Sequence, residues 1–331
     1  MIKKGRGISA VMHPTGFKGG GDPDQATIRL KADGSIDLFV GAVDYGQGAK
    51  TVLRQFAAEA LDVPIDKIAI HNSRTDNMPF STDTAASRVT FVAGNAVLNA
   101  TRNFLESVLD FAAEMLEVPK EELTLKEDKV YKTGKDEPIT DFATLGTASN
   151  WGGGYVVGNG AYLHCPGQPT DPHTGAVDFA AAMAYAVCIV DVEVDTETGY
   201  VDIKKITQAY EVGTCVNPML TEGQIDGGTM MGIGMAMSED LYPYYPDLEM
   251  AVDNFTDYII PTSADMPEME SVIIEMPDRN GPYGAKGFGE MSSNPQPPAI
   301  VNAIYDAVGV RIDDLPATPD KVLAAIEVKE Q

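Results

Sequence analysis

The C-terminal stretch from Gly281 to Ala325 constrains the fold of this chain more than any other part of the sequence. Four of the nine residues at positions 281–289 are glycine, and the carboxylate of Glu290 follows directly, before a proline-rich loop and an apolar pattern with helical spacing. Glycines let a backbone turn with positive φ and approach a large ligand closely. A carboxylate at the end of such a loop can serve as a general base. An ordinary surface or capping glutamate remains the alternative for so short a motif.

Length and charge exclude several classes of protein. The 331 residues, 44% of them apolar, can bury a core and exceed the usual size of one domain, which predicts two subdomains. A net charge of −25 argues against nucleic acid and anionic membrane surfaces, because both would repel the chain. The cysteines, Cys165, Cys188 and Cys215, are too far apart for a C-x-x-C metal or cluster motif and are predicted to be buried thiols.

Neither a signal peptide nor a membrane span is predicted. Residues 1–7 are basic but lack the apolar core of a signal peptide. The longest apolar run, residues 179–190, is shorter than the roughly 20 residues that cross a bilayer. We therefore expect a soluble, cytoplasmic protein.

A strand, a glycine turn and a helix are predicted between residues 26 and 61. Alternating runs at 26–30 and 35–40 meet at Asp33-Gly34, which is typical of a β-hairpin. A glycine-rich turn at 41–51 then leads into an amphipathic helix at 52–61. Backbone N–H groups at such a turn suit an anionic or amide-rich ligand, although a turn without any ligand fits as well. A phosphate-binding P-loop is excluded because Ala49 interrupts the Gly-Lys-Thr sequence that it requires.

An internal repeat indicates the architecture of the N-terminal part. The motif F-A-A-E-x-L-x-V-P occurs at 56–64 and again at 111–119, and each copy ends a helical pattern before a short alternating run. Two helix-turn-strand units predict a mixed α/β (α+β) fold. The loop-rich segment at 141–159 is the expected boundary between one subdomain at 1–150 and another at 151–331.

Two further segments combine unusual residues with helical patterns. Residues 79–94 carry a row of small and hydroxylated side chains before a helix predicted at about 95–117; helix capping explains one of them but not the row. Arg88, within this row, is either a phosphate ligand or a solvated charge. Residues 223–239 are rich in glycine and methionine, as in a closely packed core helix.

Taken together, these segments resemble the molybdenum hydroxylases of the xanthine oxidase family. In that family G-x-G-E precedes P-x-x-P-A-I-x-N-A-I-x-D-A and L-P-x-T-P, and the chain carries all three patterns between residues 287 and 319. The resemblance covers nearly the whole chain but only the C-terminal half of a full molybdenum-cofactor domain. Two α/β subdomains forming that half are therefore implied.

The resemblance also assigns roles to single residues. Glu290 falls on the general base of the family, Ala86 on a position facing the metal, and Gln224 on an amide near the oxo ligand of the metal. Gln47 falls in a G-Q-G loop that contacts the pterin. The full set of implied cofactor positions is Tyr45, Gly46, Gln47, Gly48, Ala86, Ser87, Arg88, Val89, Thr90 and Gln224. No residue is expected to ligate molybdenum, because the pterin dithiolene holds it.

The resemblance finally implies cofactors and partners. The cofactor would be molybdopterin cytosine dinucleotide with a terminal sulfido or selenido ligand, and partner subunits would carry iron–sulfur clusters and FAD, with NADP as acceptor. Within the family, the chain most resembles medium molybdopterin subunits of nicotinate dehydrogenases, in which a large molybdopterin subunit completes the site. Nicotinate, a small heteroaromatic substrate, is therefore favoured; purine or aldehyde hydroxylation, and a structural subunit that has lost activity, stay open.

Overall fold

The computed structural model describes residues 1–16, 21–72, 74–164, 171–175, 180–241 and 252–330. The strands, in chain order, are β1 (Ile2–Thr15), β2 (Asp22–Leu30), β3 (Ile36–Val40), β4 (Ile68–His71), β5 (Leu123–Lys126), β6 (Lys129–Lys132), β7 (Pro138–Asp141), β8 (Val157–His164), β9 (Ala182–Asp195), β10 (Val201–Glu211) and β11 (Glu268–Ile274). The helices are α1 (Ala49–Leu61), α2 (Val89–Leu116), α3 (Phe142–Trp151), α4 (Pro218–Met237), α5 (Gln296–Val308) and α6 (Pro319–Glu330). Single 3₁₀ turns occur at Ile65–Lys67, Lys120–Glu122, Pro282–Gly284 and Met291–Ser293. The mixed α/β fold predicted from the sequence is confirmed.

The chain forms two compact units whose segments interleave in sequence. The terminal unit comprises Met1–His13, Met183–Met276 and Phe288–Gln331, and the inner unit comprises Pro14–Ala182 and Pro277–Gly287. This division differs from the expected subdomains at 1–150 and 151–331. The reason is that β1 lies in one sheet with β9, β10 and β11, so the first residues of the chain join strands that follow about 180 positions later.

The inner unit is built on a sheet with the strand order β4-β3-β2-β8. The predicted hairpin is present: β2 and β3 pair antiparallel from Ala26 opposite Val40 to Leu30 opposite Ile36, and Gly34 in the turn has φ 81°. The two repeated motifs end alike. α1 and α2 are each followed by a residue in the left-handed region, Asp62 and Glu117, before Val-Pro, a 3₁₀ turn and a short strand. The repeated sequence thus forms the same local structure twice, a helix end followed by a 3₁₀ turn and a short strand.

The terminal unit packs helices on one face of the sheet β1-β9-β10-β11. The even-numbered residues of β9 from Ala184 to Val194 point into the core, where most of them contact residues of α4, α5 and α6. Cys188 is buried and free, as predicted, whereas Cys215 is free but only half-buried; Cys165 lies outside the described residues. Among the helices of the described ranges, none has the length and apolar character needed to cross a membrane.

Candidate functional site

The side-chain carboxylate of Asp44 closes the glycine loop before α1. Asp44 Oδ1 accepts from the N–H of Gly46 and Asp44 Oδ2 from the N–H of Lys50, both at 2.9 Å. Burial alone would raise the pKa of Asp44, but the N–H donors of Lys50, Gly46 and Gly48 outweigh it and hold the pKa below its usual value. The sequence predicted free backbone donors at this turn. Several of them instead stabilise an internal anion, which reduces what the loop can offer to a ligand.

Gln47 shapes the same loop with its side-chain amide. Its Oε1 accepts from the N–H of Tyr45 and its Nε2 donates to the carbonyl oxygen of Val43, each at 2.9 Å. A primary amide has two N–H donors and two acceptor lone pairs, so half of this capacity remains for a ligand. Tyr45 and Gly46 are exposed, and Gln47 and Gly48 are half-buried.

Thr84 joins the glycine loop to the second predicted cofactor segment. Its Oγ1 accepts from the N–H of Val43 at 2.9 Å, and its carbonyl oxygen accepts from the hydroxyl of Tyr45 at 3.2 Å. The structure therefore brings Tyr45–Gly48 and the segment around Ala86 together in the inner unit. Thr84 was not among the predicted contacts, although it belongs to the hydroxylated row.

The turn formed by Ala86 and Ser87 has an unusual backbone. Both residues have φ 50°, in the left-handed region that non-glycine residues seldom adopt. Neighbours hold them there: the carbonyl oxygen of Ala86 accepts from the N–H of Gly16 at 2.9 Å, and Gly287 lies so close to Ser87 that a Cβ would stand 1.5 Å from the Ser87 carbonyl oxygen. Such backbone strain is concentrated at ligand-binding and catalytic sites.

Arg88 is neither a solvated charge nor an available phosphate ligand. Its side chain is fully buried, with Nε donating to Asp22 and Nη1 donating to Asp24 Oδ2 at 2.9 Å. The guanidinium also donates to the carbonyl oxygens of Pro23 at 2.9 Å and Asp83 at 2.7 Å. Asp22 and Asp24 stand 64 or more positions away in sequence, so the pairing was missed. Arg88 ties the start of α2 to strand β2.

Helix α2 begins at Val89 rather than near residue 95. Val89 is buried and Thr90 is half-buried, and both lie in the first turn of the helix. The first N–H groups of a helix have no acceptor within the helix, and the helix dipole favours an anion there. The backbone at these two positions therefore suits a phosphate or a pterin carbonyl better than their side chains do.

Glu290, the predicted base, lies in the terminal unit at the start of the 3₁₀ turn Met291–Ser293. Its side chain is 53% exposed, and its Oε2 lies 3.9 Å from Nε2 of His13, which is mostly buried at 16% exposure. Nδ1 of His13 is buried and has no hydrogen-bond partner within the described ranges. His13 gives no local sequence signal of this contact, because it stands 277 positions before Glu290.

A buried polar network holds the turn that follows Glu290. Gln296 Nε2 donates to the carbonyl oxygen of Ser292 at 3.0 Å and to Gln208 Oε1 at 2.9 Å. The hydroxyl of Tyr210 donates to the same Ser292 carbonyl at 3.2 Å. Gln208, Tyr210, Ser292 and Gln296 are all buried, and burial raises the pKa of the Tyr210 hydroxyl. None of them was predicted, since residues so distant in sequence give no local signal.

Gln224 lies half-buried on α4, whose glycines allow close packing. A Cβ on Gly228, one turn after Gln224, would stand 2.1 Å from the Ser292 hydroxyl oxygen. Helix α4 thus packs directly on the turn that follows Glu290. The close-packed helix predicted from the glycine and methionine pattern is confirmed, and it holds Gln224 one helical turn before this contact.

The donor set of these segments fits an organic cofactor with amide and phosphate groups. The inner unit offers the amide of Gln47, the strained turn at Ala86 and Ser87, and the first turn of α2. These groups of the inner unit are hydrogen-bond donors and acceptors rather than metal ligands, which is what a pterin that carries its own metal ligands requires.

Comparison with protein families gives a consistent result. A model of the molybdopterin cofactor-binding domain family matches residues 1–267. A probable hypoxanthine oxidase of Escherichia coli is 33% identical over 327 residues, which are 98% of this chain and 32% of that protein. The large subunit of nicotine 6-hydroxylase from Paenarthrobacter nicotinovorans is 31% identical, over 91% of this chain and 36% of that protein.

Solved structures agree with the sequence relatives. The aldehyde oxidoreductase of Desulfovibrio gigas matches with a TM-score of 0.82 at 30% identity, over 98% of this chain and 33% of that one. The chain therefore spans about a third of the length of the curated relatives that it matches.

Proposed function

The chain belongs to the molybdenum hydroxylases of the xanthine oxidase family, and on that premise we propose that it supplies the general base of an N-heteroaromatic ring hydroxylase. Glu290 would be that base. The observation that carries the proposal is the arrangement around Glu290: a carboxylate on a turn fixed by the buried Gln296–Ser292 hydrogen bond, with an imidazole 3.9 Å away.

The residues of this chain have separate roles in the proposed reaction. Glu290 Oε accepts a proton. The strained turn at Ala86 and Ser87, the Gln47 amide and the first turn of α2 bind the cofactor. Gln224 contributes a further amide from α4. The molybdenum cofactor, when bound, supplies Lewis acidity and two-electron redox chemistry for inserting a water-derived oxygen beside a ring nitrogen. The protein supplies position, a base and exclusion of water.

Replacement of Glu290 by Gln tests the proposal. The amide keeps the shape but cannot accept the proton, so turnover should fall by about two to four orders of magnitude while molybdenum and pterin content stay unchanged. The matched control is Glu327→Gln on the exposed side of α6, which should keep full activity. A Glu290→Gln enzyme with wild-type turnover would reject this role; an inactive wild-type complex with full cofactor would favour a structural subunit that has lost catalysis.

The substrate proposal is nicotinate, hydroxylated next to its ring nitrogen. Support comes from two relatives named for N-heteroaromatic substrates, hypoxanthine and nicotine. The matching aldehyde oxidoreductase keeps aldehyde oxidation as the second candidate. Steady-state rates of one purified complex on nicotinate, hypoxanthine and an aromatic aldehyde separate the three, since specificity is a ratio of kcat/KM values.

The remaining cofactors and partners are part of the same proposal. We expect molybdopterin cytosine dinucleotide with a terminal sulfido or selenido ligand, a large molybdopterin subunit, an iron–sulfur subunit and an FAD subunit that reduces NADP. The support is that the nicotine 6-hydroxylase relative is named as a large subunit and that this chain matches 36% of it. Elemental analysis for molybdenum, iron and selenium, with mass spectrometry of the released nucleotide, tests each cofactor separately.

A further inference from the structure

Strand β1 of the terminal unit lies against helix α5. Side chains alternate between the two faces of a strand, and the odd-numbered residues of β1 from Gly5 onward are the ones turned inward. A Cβ on Gly5 would stand 2.1 Å from the carbonyl oxygen of Ala303, and a Cβ on Gly7 would stand 2.0 Å from that of Ala299. The two backbones are therefore in direct contact, and two residues of β1 correspond to about one turn of α5.

Side-chain hydrogen bonds hold β1 in this position along the helix. Asn302 Nδ2 donates to the carbonyl oxygen of Ile8 at 3.1 Å. The hydroxyl of Ser9 donates at 2.5 Å to the carbonyl oxygen of Pro295, the residue directly before α5. The strand thus runs towards the start of α5 and reaches it at Ser9.

The next inward-facing residues of β1 reach the turn that carries Glu290. Val11, two residues after Ser9, packs on the hydrophobic cluster that contains Met291. His13, two residues further, places its Nε2 3.9 Å from Oε2 of Glu290. All of these residues belong to the terminal unit. The packing of β1 on α5, rather than a flexible loop, therefore brings the imidazole to the carboxylate.

The surroundings of Nδ1 determine which ring nitrogen of His13 carries the proton. Nδ1 is buried and has no hydrogen-bond partner in the part of the chain that the structure describes. An N–H at this nitrogen would be buried without an acceptor and would lose its full hydration free energy, whereas an unpaired acceptor is tolerated more often. The neutral imidazole therefore carries its proton on Nε2, the nitrogen that faces Glu290.

An N–H donor at Nε2 suits an ionised carboxylate. It can donate to Oε2 of Glu290 and leave Oε1 for proton uptake, and a hydrogen bond to an ionised acceptor is stronger than one between neutral groups. A separation of 3.9 Å is too long for this bond, but the Glu290 side chain is half-exposed and can rotate to close the gap. Catalytic hydrogen bonds are often long until the reacting complex forms.

We propose that His13 is a positioning residue for the Glu290 base. Its Nε2–H holds Oε2 in the reacting complex, so that Oε1 has one fixed direction when it accepts the proton. His13 keeps its own proton throughout, and the transferred proton ends on Oε1 of Glu290. This inference rests on the proposed function, since it assigns a second residue to the same reaction step.

His13 is itself a poor general base. A general base must lie within hydrogen-bond reach of the proton that it takes up. The lone pair of the Nε2–H tautomer is on Nδ1, which solvent does not reach, whereas the Glu290 carboxylate is half-exposed. Glu290 therefore takes the proton, and His13 orients Glu290.

The kinetic test uses variants of β1 in the purified native complex. His13→Phe keeps a ring without a donor, and His13→Gln keeps an N–H donor near the position of Nε2. We expect His13→Phe to lower kcat roughly tenfold or more, because a small misplacement of a reacting group has such an effect, with KM changed by less than about twofold. His13→Gln should recover most of kcat. The control is Met12→Gln on the opposite, exposed face of the same strand, which should match the wild type.

Molybdenum and pterin content and melting temperature are measured for every variant and should stay unchanged. If His13→Phe does not fold, His13→Asn replaces it, since the amide of asparagine is too short to donate from the position of Nε2. Equal losses of kcat in His13→Gln and in the variant without this donor would overturn the inference, because the N–H donor would then not matter.

The tautomer is measured separately, without turnover. Histidine labelled with ¹⁵N in the full chain gives ring-nitrogen signals that distinguish the two tautomers by nuclear magnetic resonance. The His13→Gln chain identifies the signals of His13 by their loss. We expect an unprotonated Nδ1 and a protonated Nε2. A proton on Nδ1 would overturn the inference.

Failure of this inference differs from failure of the proposed function. If Glu290→Gln is inactive while folded His13→Phe keeps the wild-type kcat, the positioning role is rejected and the base assignment stands. If Glu290→Gln retains turnover, the base assignment is rejected and the positioning role with it, even where the signals show a proton on Nε2 of His13.

Discussion

Arg88 and Asp24 form an ion pair in which neither side chain is exposed, with Nη1 2.9 Å from Oδ2. The same guanidinium also pairs with the buried Asp22, so one cation serves two carboxylates. This cluster joins the first residues of β2 to the start of α2, next to the strained turn at Ala86 and Ser87. Its charge balance therefore affects both stability and the shape of the predicted cofactor segment.

The first prediction concerns the pH dependence of stability. Burial raises the pKa of Asp24 to about 6, against the opposing charge of Arg88 and a hydrogen bond from Ser81. The folded chain thus holds the carboxyl proton of Asp24 more tightly than the unfolded chain, in which this carboxyl has its ordinary pKa of 3.8. The stabilisation is complete below pH 3.8 and is lost as the pH rises to about 6.

Asp24→Asn isolates this contribution, because an amide resembles the protonated carboxyl. The difference in unfolding free energy between wild type and Asp24→Asn should change by about 2 kcal/mol between pH 4 and 7, because the wild type becomes less stable relative to Asp24→Asn as the pH rises. Denaturant unfolding across that range measures it. Asp33→Asn in the exposed hairpin turn is the control, because hydrogen bonds from Ser35 lower the pKa of Asp33, whereas burial raises the pKa of Asp24. A constant difference would contradict the prediction.

The second prediction is that Arg88→Met destabilises the inner unit strongly. The change leaves Asp22 and Asp24 buried without a cation, which commonly costs about 3–5 kcal/mol. Arg88→Lys should restore little of the lost stability, since an ammonium cannot reproduce the donors that Arg88 directs at five groups. The control is Arg102→Met, an exposed position on α2. If Arg88→Met unfolds as the wild type does and loses only bound cofactor, Arg88 is a phosphate ligand after all.

Local patterns predicted local structure well. Asp33-Gly34 specifies a hairpin, and Val-Pro ends both α1 and α2, because backbone φ preferences act within a few residues. The start of α2 was placed about six residues late. Arg88 precedes this helix without a side-chain cap, so the usual signal of a helix start is missing.

Contacts between distant segments could not be predicted from local patterns. Arg88 and Asp24 are 64 positions apart, and Gln208 and Gln296 are 88 apart. A buried arginine has the same sequence signature as an exposed one, so only the fold reveals its partners. The joining of β1 to β9 likewise escaped detection, which is why the expected linear boundary near residue 150 differs from the interleaved units.

The third prediction concerns the network behind Glu290. Gln296→Leu removes the donor to the Ser292 carbonyl and leaves Gln208 and Thr229 with one partner fewer, at a cost of about 1–3 kcal/mol. Tyr210→Phe removes one hydroxyl from the same carbonyl and should cost about 1 kcal/mol, because Gln296 remains. Both should lower kcat more than they raise KM, since the turn after Glu290 is loosened. Equal kcat values with lower stability would make the network purely structural.

The last prediction is that Gly287→Ala disrupts the turn at Ser87 although it adds a single methyl group. That Cβ would stand 1.5 Å from the Ser87 carbonyl oxygen, which is backbone and cannot rotate away. The turn must move, and with it the left-handed residues Ala86 and Ser87. We expect a stable chain whose molybdenum and pterin content falls sharply, measured per mole of purified protein.

Gly227→Ala on α4 is the control. Nothing lies within 4 Å of its Cβ position, and alanine favours a helix by about 1 kcal/mol, so stability should rise and cofactor content should not change. Normal cofactor content in Gly287→Ala would show that the turn tolerates displacement and that its strained geometry is not required for binding.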